Sequence, residues 1–518
     1  MGLPKVRFIL GQGGSGRAST NFDNNSLMIA YYSATSANSA YANIGNKIYT
    51  SLQDAVADGV VADFVEATAA TSAQVVATLG ALNETIAITF TNWDGTTITL
   101  ANYTKGAGDT TVTLQATSMV AAVNANTYVT GFSATVGTSG AYTLIAPKRL
   151  GIWPNTKSVV NTISTGGTSV ITNNAFTGGT ASPLAIFNYQ ISEFFRRQPN
   201  APLYFAIKLD TSSDNAAAYN TKVTADVISV SNLFTGRARQ GLVYNPFRTF
   251  ATSTLDAIKT ARTNLFNSYI PAVFGYVGGF TGSLSAQVNV RTLTDEGVDP
   301  IIGQSLSGYG LELSKTQQSV ICSGGAYLGD LSRVAVSESI GEPIAENNVS
   351  DGTECETPGF YDGTTYDSAT STNDTLVDQL YDFGYTFLRK FKGGYNGTYW
   401  VGAPCAVNPA SDYAFMEDVR TIDKAIRGVY LGIVQKLNSK NKVNPNGTLA
   451  VASIADYTSK ASAPLDAMVR DEDLNDFIVE VSETEIVAQT STVPITISLQ
   501  QQPLGRYITI TIGFKATL

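Results

Sequence analysis

The chain contains no histidine among its 518 residues, and that one absence removes several chemistries together. A Ser-His-Asp or Cys-His nucleophile system, an HExxH zinc site and an imidazole proton shuttle all need the missing side chain. Charge is also scarce: Asp, Glu, Lys and Arg make up 14% of the residues, against about a quarter in an average globular chain. A surface so short of charge favours association over repulsion. The formal charge of −9 comes with no long basic run. Arg196-Arg197 and Arg389-Lys390-Phe391-Lys392 are too short to neutralise a phosphate backbone, so nucleic acid is not an expected partner. Cysteine is limited to Cys322, Cys355 and Cys405. An odd, widely spaced set gives neither a disulfide framework nor a CxxC metal pair, and these three are expected to be small buried hydrophobes. No apolar stretch reaches the length of a membrane span, and the segment 6–10 is too short and too interrupted for a signal-peptide core. Stable membrane insertion is therefore not expected, and synthesis in a cytoplasm is.

What the chain does have is a 43% apolar fraction, enough at this length for roughly three to four domains. The pattern predicts a multidomain α/β (α+β) protein. Residues 1–20 read as an extended arm, a short strand followed by a glycine-rich tether carrying Gly11, Gly13, Gly14 and Gly16. An apolar strand over 27–32 and a helix over 50–57 open an α/β domain. Between 66 and 181 the composition shifts to Thr-rich strand segments, among them 86–91, 97–100 and 110–114, separated by turn signals such as Asp94-Gly95 and Ser139-Gly140; this reads as an inserted, mostly β domain.

From Pro183 the α/β alternation resumes: helices over 183–197, 222–234 and 254–269 alternate with strands over 203–209, 241–244 and 272–277, which implies βαβ units and a largely parallel sheet. One further helix is expected over 317–333. A polar loop over 342–372 closes this middle domain near residue 345. The C-terminal domain, 346–505, is expected to hold a helix over 374–383, a hairpin of 385–391 with 398–401, helices over 418–437 and 465–477, and strands over 477–481 and 493–499. The terminal strand 506–514 belongs to a last arm, 506–518.

Several motifs carry competing readings. Gly11, Gly13 and Gly16 match GxGxxG, but the residues that follow make a poor helix, and a pyrophosphate site needs a helix N-terminus; a tether fits better. In the helix over 418–437, Val419, Ile422, Ile426, Val429, Ile433 and Leu437 recur at spacings of three and four and predict a stripe facing a core. Arg420, Lys424 and Arg427 fall on nearly the opposite side. That row reads either as a solvated face or as a docking stripe for an acidic partner. Near the chain end, Ile508, Ile510, Ile512 and Phe514 alternate with Tyr507, Thr509 and Thr511, and the segment reads either as a last strand of the chain's own sheet or as one completing a neighbour's. Asp351, Asp362 and Asp367 lack EF-hand spacing and are expected in solvated turns; Asp471-Glu472-Asp473 is expected to decorate a nearby helix. No catalytic, cofactor-binding or metal-ligating residue is assigned, and an enzyme is not expected.

The order of several C-terminal segments resembles the shared core of contractile-tail sheath proteins of bacteriophages and related injection machines. These are Asp418-Val419-Arg420-Thr421-Ile422-Asp423-Lys424-Ala425-Ile426-Arg427, Val443-Asn444-Pro445-Asn446-Gly447-Thr448-Leu449, Ala463-Pro464-Leu465-Asp466-Ala467-Met468 and Arg506-Tyr507-Ile508-Thr509-Ile510-Thr511-Ile512-Gly513-Phe514. Upstream, Val336-Ser337-Glu338-Ser339-Ile340-Gly341 is similar as well. The resemblance covers 183–518 well, 1–65 more weakly and 66–181 not at all.

It implies a subunit that polymerises as hexameric rings stacked into a helix around an inner tube, and that contracts to drive the tube through a cell envelope. It further implies baseplate and tail terminator proteins as partners, no cofactor, and a virion tail or injection particle assembled in a bacterial cytoplasm. The residues that would correspond to the shared strands are Val6, Arg7, Phe8, Ile9 and Leu10, and Tyr507, Ile508, Thr509, Ile510, Thr511, Ile512, Gly513 and Phe514; Arg420, Lys424 and Arg427 would dock the tube. Two other readings stand beside it: a glycan-binding protein using Trp93, Tyr103 and Trp153 of the insert, and a histidine-independent enzyme built on convergent carboxylates of perturbed pKa.

Overall fold

The computed structural model describes residues 23–33, 41, 44–212, 215–393, 395–506 and 508–510, and of residues 368–374 the backbone alone. The expected arm, with Val6, Arg7, Phe8, Ile9, Leu10 and the glycines Gly11, Gly13, Gly14 and Gly16, lies outside the described residues. So do Tyr507, Thr511, Ile512, Gly513 and Phe514.

The alternation of apolar strands and helices builds the expected parallel sheet. Its strand order is Val298–Pro300, Val273–Gly279, Gln240–Thr249, Ser26–Ser33, Leu203–Asp210 and Asn46–Tyr49, and only the last pairs antiparallel with its neighbour. Leu27, Met28, Ile29, Ala30 and Tyr31 are all fully buried, which is why this strand reads as an unbroken apolar run. The helix Pro183–Arg197 starts as its sequence dictates: Ser182 caps it by accepting from the Ala185 amide, and Pro183 fills the first turn, where no amide partner is needed. It lies against the helix Gly324–Arg333. A Cβ at Gly325 would sit 1.9 Å from the Gln190 carbonyl oxygen, so only glycine allows that approach.

The helix expected over 317–333 is shorter, Gly324–Arg333, and a separate helix, Gly308–Thr316, ends just before the expected start. The break has a local cause. The Gln304 side chain accepts from the amides of Ile321 and Cys322, the Gln190 side chain accepts from Gly325, and Cys322 adopts φ 27°. The expected boundary near 345 is not a break in packing, because one apolar core runs through Leu27, Leu328, Val349, Phe387 and Val419. The polar loop is shorter than expected, as the helix Tyr366–Asp382 begins well before 374. The expected hairpin of 385–391 with 398–401 contracts to Leu388–Arg389 against Tyr399–Trp400. Cys322, Cys355 and Cys405 are free and buried, as expected.

The insert has its own core around Phe90, Phe132 and Phe176, covered by a four-stranded and a three-stranded sheet. It leaves and re-enters the body at one point, where Thr68 and Thr180 exchange hydrogen bonds. One segment read as strand, 110–114, is the cap and first turn of the helix Val112–Ala125: Thr111 Oγ1 accepts from the Leu114 amide, and the alanine-containing run behind it favours helix over the local threonine preference.

The C-terminal unit packs two helices, Met416–Ile433 and Val451–Arg470, against a hairpin of Asp476–Val481 with Ile495–Gln500. The second helix begins earlier than the expected 465 because Pro464 lies inside it and not at its start. Proline has no amide to offer the Lys460 carbonyl. That oxygen points at the crossing with the first helix, where a Cβ on Gly432 would stand 2.4 Å from it, while a Cβ on Gly428 would stand 2.8 Å from Pro464. Gly432→Ala decides between two effects of opposite sign. Helix propensity alone would raise stability by about 0.5–1 kcal/mol, whereas overpacking against backbone costs about 1–3 kcal/mol. We expect Gly432→Ala to destabilise in denaturant unfolding; a gain in stability would show that the helices cross elsewhere.

Candidate assembly surface

The helix Met416–Ile433 begins with Glu417 and Asp418 in its first turn, where carboxylates complement the helix dipole. Its basic row does not face solvent. Arg420 is buried and donates to the carbonyls of Val334 and Ala335 at the end of the helix Gly324–Arg333, the end where a cation is favoured. Burial pushes its guanidinium down to about 10, against the pull of Asp23 and Glu417. Lys424 Nζ lies 2.8 Å from Asp23 Oδ2 and 2.6 Å from Asp473 Oδ2. Burial works to lower its pKa, but the two carboxylates outweigh it and hold the ammonium above its usual range. Arg427 reaches the Pro271 carbonyl and Asp23 Oδ1, at 3.2 and 3.4 Å. Asp423, from the same helix, meets Arg262 at 3.1 Å.

This corrects the docking-stripe reading of Arg420, Lys424 and Arg427: in the folded chain they are inside an ion network and unavailable to a tube. The expected apolar stripe is kept only in part: Val419 is buried in the main core. Ile422 and Ile426 are only half-buried and Leu437 is exposed, while Val429 and Ile433 pack on the hairpin side. The surface the helix meets on the body presents carbonyls and carboxylates, so cations are what fit it. Asp23 and Asp473 were not legible as partners, since Asp23 and Arg427 stand 404 positions apart. Within the acidic run, Asp471 and Glu472 are exposed but Asp473 is buried.

The hairpin Asp476–Val481 with Ile495–Gln500 turns Phe477, Val479, Ile497 and Leu499 toward the helices. It is a two-stranded sheet, so each strand has one edge on which no other described strand pairs. The described residues after Gln500 have no regular structure. Ile508 and Ile510, which were read as strand, are unpaired and 80% and 74% exposed, with Thr509 exposed between them. The tail forms one side of a groove of about 860 Å³, floored by Tyr381, Phe387 and Val401 and rimmed by Glu338, Glu342 and Asp378.

The residues named for the other readings do not converge. Tyr103 is buried and donates to Asp109, while Trp93 and Trp153 pack against the insert core. Asp351 and Asp362 accept amide hydrogen bonds within their own turns, as expected, and Asp367 instead opens a helix. Burial displaces three carboxyls strongly upward, Asp295 and Asp418 to about 7 and Asp299 well above its usual value, yet Asp295 and Asp299 are wholly enclosed and none of the three lines the groove.

Residues 412–518 match the family described as DUF2586, C-terminal domain, a span that takes in both helices, the hairpin and the tail. Among solved structures the chain is similar to the baseplate of the anti-feeding prophage, at 11% identity and a TM-score of 0.40, over 63% of this chain and 80% of that one. It is similar at the same identity and TM-score to the helical sheath of that prophage in its contracted state, over 63% of this chain and 81% of the other. No curated protein matches the chain.

Two outcomes follow from the charges. Lys424→Ala removes the cation between two buried carboxylates and is expected to cost about 3–5 kcal/mol, far more than the ~0–1 kcal/mol of an exposed pair. The deficit, read by denaturant unfolding, should shrink as pH falls and Asp473, already pushed up by burial, takes a proton; a loss below ~1 kcal/mol would contradict the burial of the network. Asp295 has both carboxyl oxygens buried without a hydrogen-bond partner. Its pKa is raised by burial and by Asp256, with Glu296 adding and Lys259 opposing. The folded chain therefore holds a proton that the unfolded chain has lost, and stability falls as pH rises from about 4 to about 7. Asp295→Asn should melt higher than the parent at pH 8, and the two should converge below about pH 4, where the unfolded carboxyl also holds its proton; an equal melting point at pH 8 would refute the buried charge.

Proposed function

We propose that the chain is a structural subunit of a contractile tail sheath, polymerising around an inner tube through shared strands and shortening to drive that tube through an envelope. The observation that carries this reading is the hairpin Asp476–Val481 with Ile495–Gln500, held against two helices while no other described strand pairs with either outer edge. A two-stranded sheet is marginal on its own. Here the helices support it, and its edges are templates for added strands. Each backbone hydrogen bond gained there contributes only about 0.5–1.5 kcal/mol net, but several per strand, repeated in every copy, tie a polymer firmly. The alternating segment beyond Arg506 supplies a strand of the right pattern.

In this reading the partners are further copies of the chain in stacked hexameric rings, an inner tube protein, and baseplate and terminator proteins. The particle is a virion tail or injection device assembled in a bacterial cytoplasm. Contraction needs no nucleotide if the extended array is metastable and the contracted one buries more interface. The tube contact is left to surfaces other than the Arg420, Lys424 and Arg427 row. The insert, joined at Thr68 and Thr180, is an appendage to this machinery.

Negative-stain microscopy of the purified protein should show hollow ridged cylinders. Removal of 506–518 should abolish them while the circular dichroism spectrum and melting of the body persist. Stable monomers of the full chain at high concentration, or normal cylinders from the truncated one, would overturn the proposal.

A further inference from the structure

The C-terminal tail is fixed to the body through Arg506. Arg506 Cζ lies 3.4 Å from the centroid of the Phe415 ring, and its Nη2 is 2.6 Å from Glu417 Oε1. Glu417 is almost fully buried, with its side chain 3% exposed. Both partners belong to fixed structure: Phe415 is the residue that caps the helix Met416–Ile433, and Glu417 lies in its first turn. Behind them Arg291 approaches the same ring at 5.2 Å and is itself held by the carbonyls of Cys405, Val407 and Ala414. The ring and the carboxylate thus form a receptacle with one flat wall and one in-plane acceptor, the shape and charge of a guanidinium.

The rest of the tail has little else to hold it. Among the described residues of 501–510, Arg506 alone hydrogen-bonds to the rest of the chain. Two residues further on, Ile508 is exposed, as is Ile510.

We propose that Arg506 is a latch: seated in the Phe415–Glu417 receptacle, it fixes the root of the C-terminal arm and so sets where the terminal strand leaves each molecule. The proposal rests on the reading of 506–518 as an arm and deepens it by assigning a positioning residue. A strand that must find one edge on one neighbour gains from a fixed point of departure, because a shorter free length is a higher effective concentration at the target edge. Lysine would keep the charge but lose the flat face on Phe415.

The test uses the full-length, unassembled chain and chymotrypsin, which cuts beside the tail residues Leu504 and Tyr507 and not at Arg506 itself. Arg506→Gln should raise the rate of cleavage within 501–510 by roughly tenfold, because cleavage follows the open population. Arg506→Lys should fall between that variant and the parent, and Phe415→Leu should also loosen the tail. Melting of the body should change little in the Arg506 variants. A cleavage rate equal to the parent's in both Arg506 variants would overturn the latch. Cylinder formation by the same proteins is read separately: a tail loosened as expected in a chain that never forms cylinders refutes the sheath reading and leaves the latch standing. Cylinders together with an unloosened tail refute the latch alone.

Discussion

A lysine ammonium held between two carboxylates joins three distant parts of this chain. Lys424 belongs to a helix of the C-terminal unit, Asp23 to the entrance of the central sheet, and Asp473 to the turn before the hairpin. Buried charges tolerate little displacement, because moving one leaves the others unpaired in a poorly solvating medium. The pairing of Asp423 with Arg262 and the carbonyl contacts of Arg420 act in the same direction. Together they fix how the C-terminal unit stands on the body, which an apolar contact of the same area would do with less angular specificity.

That fixed stance gives the hairpin its significance. The two helices beneath it approach closely at Gly428 and Gly432, and the hairpin's apolar face lies on them. A pair of strands held in this way keeps two open edges in a constant direction, which a free hairpin could not. The chain's low charge density is consistent with surfaces meant to meet their own kind. The tail, fixed at Arg506 and exposed beyond it, stands close to the groove rimmed by Glu338, Glu342 and Asp378.

The parallel sheet was legible because strands buried on both faces are written as unbroken apolar runs such as 27–31, and helices as capped periodic segments such as 183–197. The terminal hairpin was legible from its alternation. Other features were not. Thr110 to Leu114 looks like strand until Thr111 is recognised as a cap, and Pro464 looks like a helix start until the glycine crossing beside it is seen. The surroundings of the basic row on the 416–433 helix were misread for a deeper reason. Periodicity separates apolar from charged faces, and the customary inference buries the former. Here the partner surface is itself polar, and charge complementarity across hundreds of residues leaves no local trace. The hairpin's edges were foreseeable as strands, but that no other described strand pairs with them is a property of the sheet and not of any residue.

The central claim is that a rigidly seated hairpin offers backbone edges which other copies of the chain close. Peptide-resolved hydrogen exchange over Asp476–Val481 and Ile495–Gln500, compared between unassembled and assembled protein, tests it most directly. Protection of the outward amides should appear on assembly while the inward ones, already paired, change little. Identical exchange across both strands in the two states would show that the edges are not where the copies join.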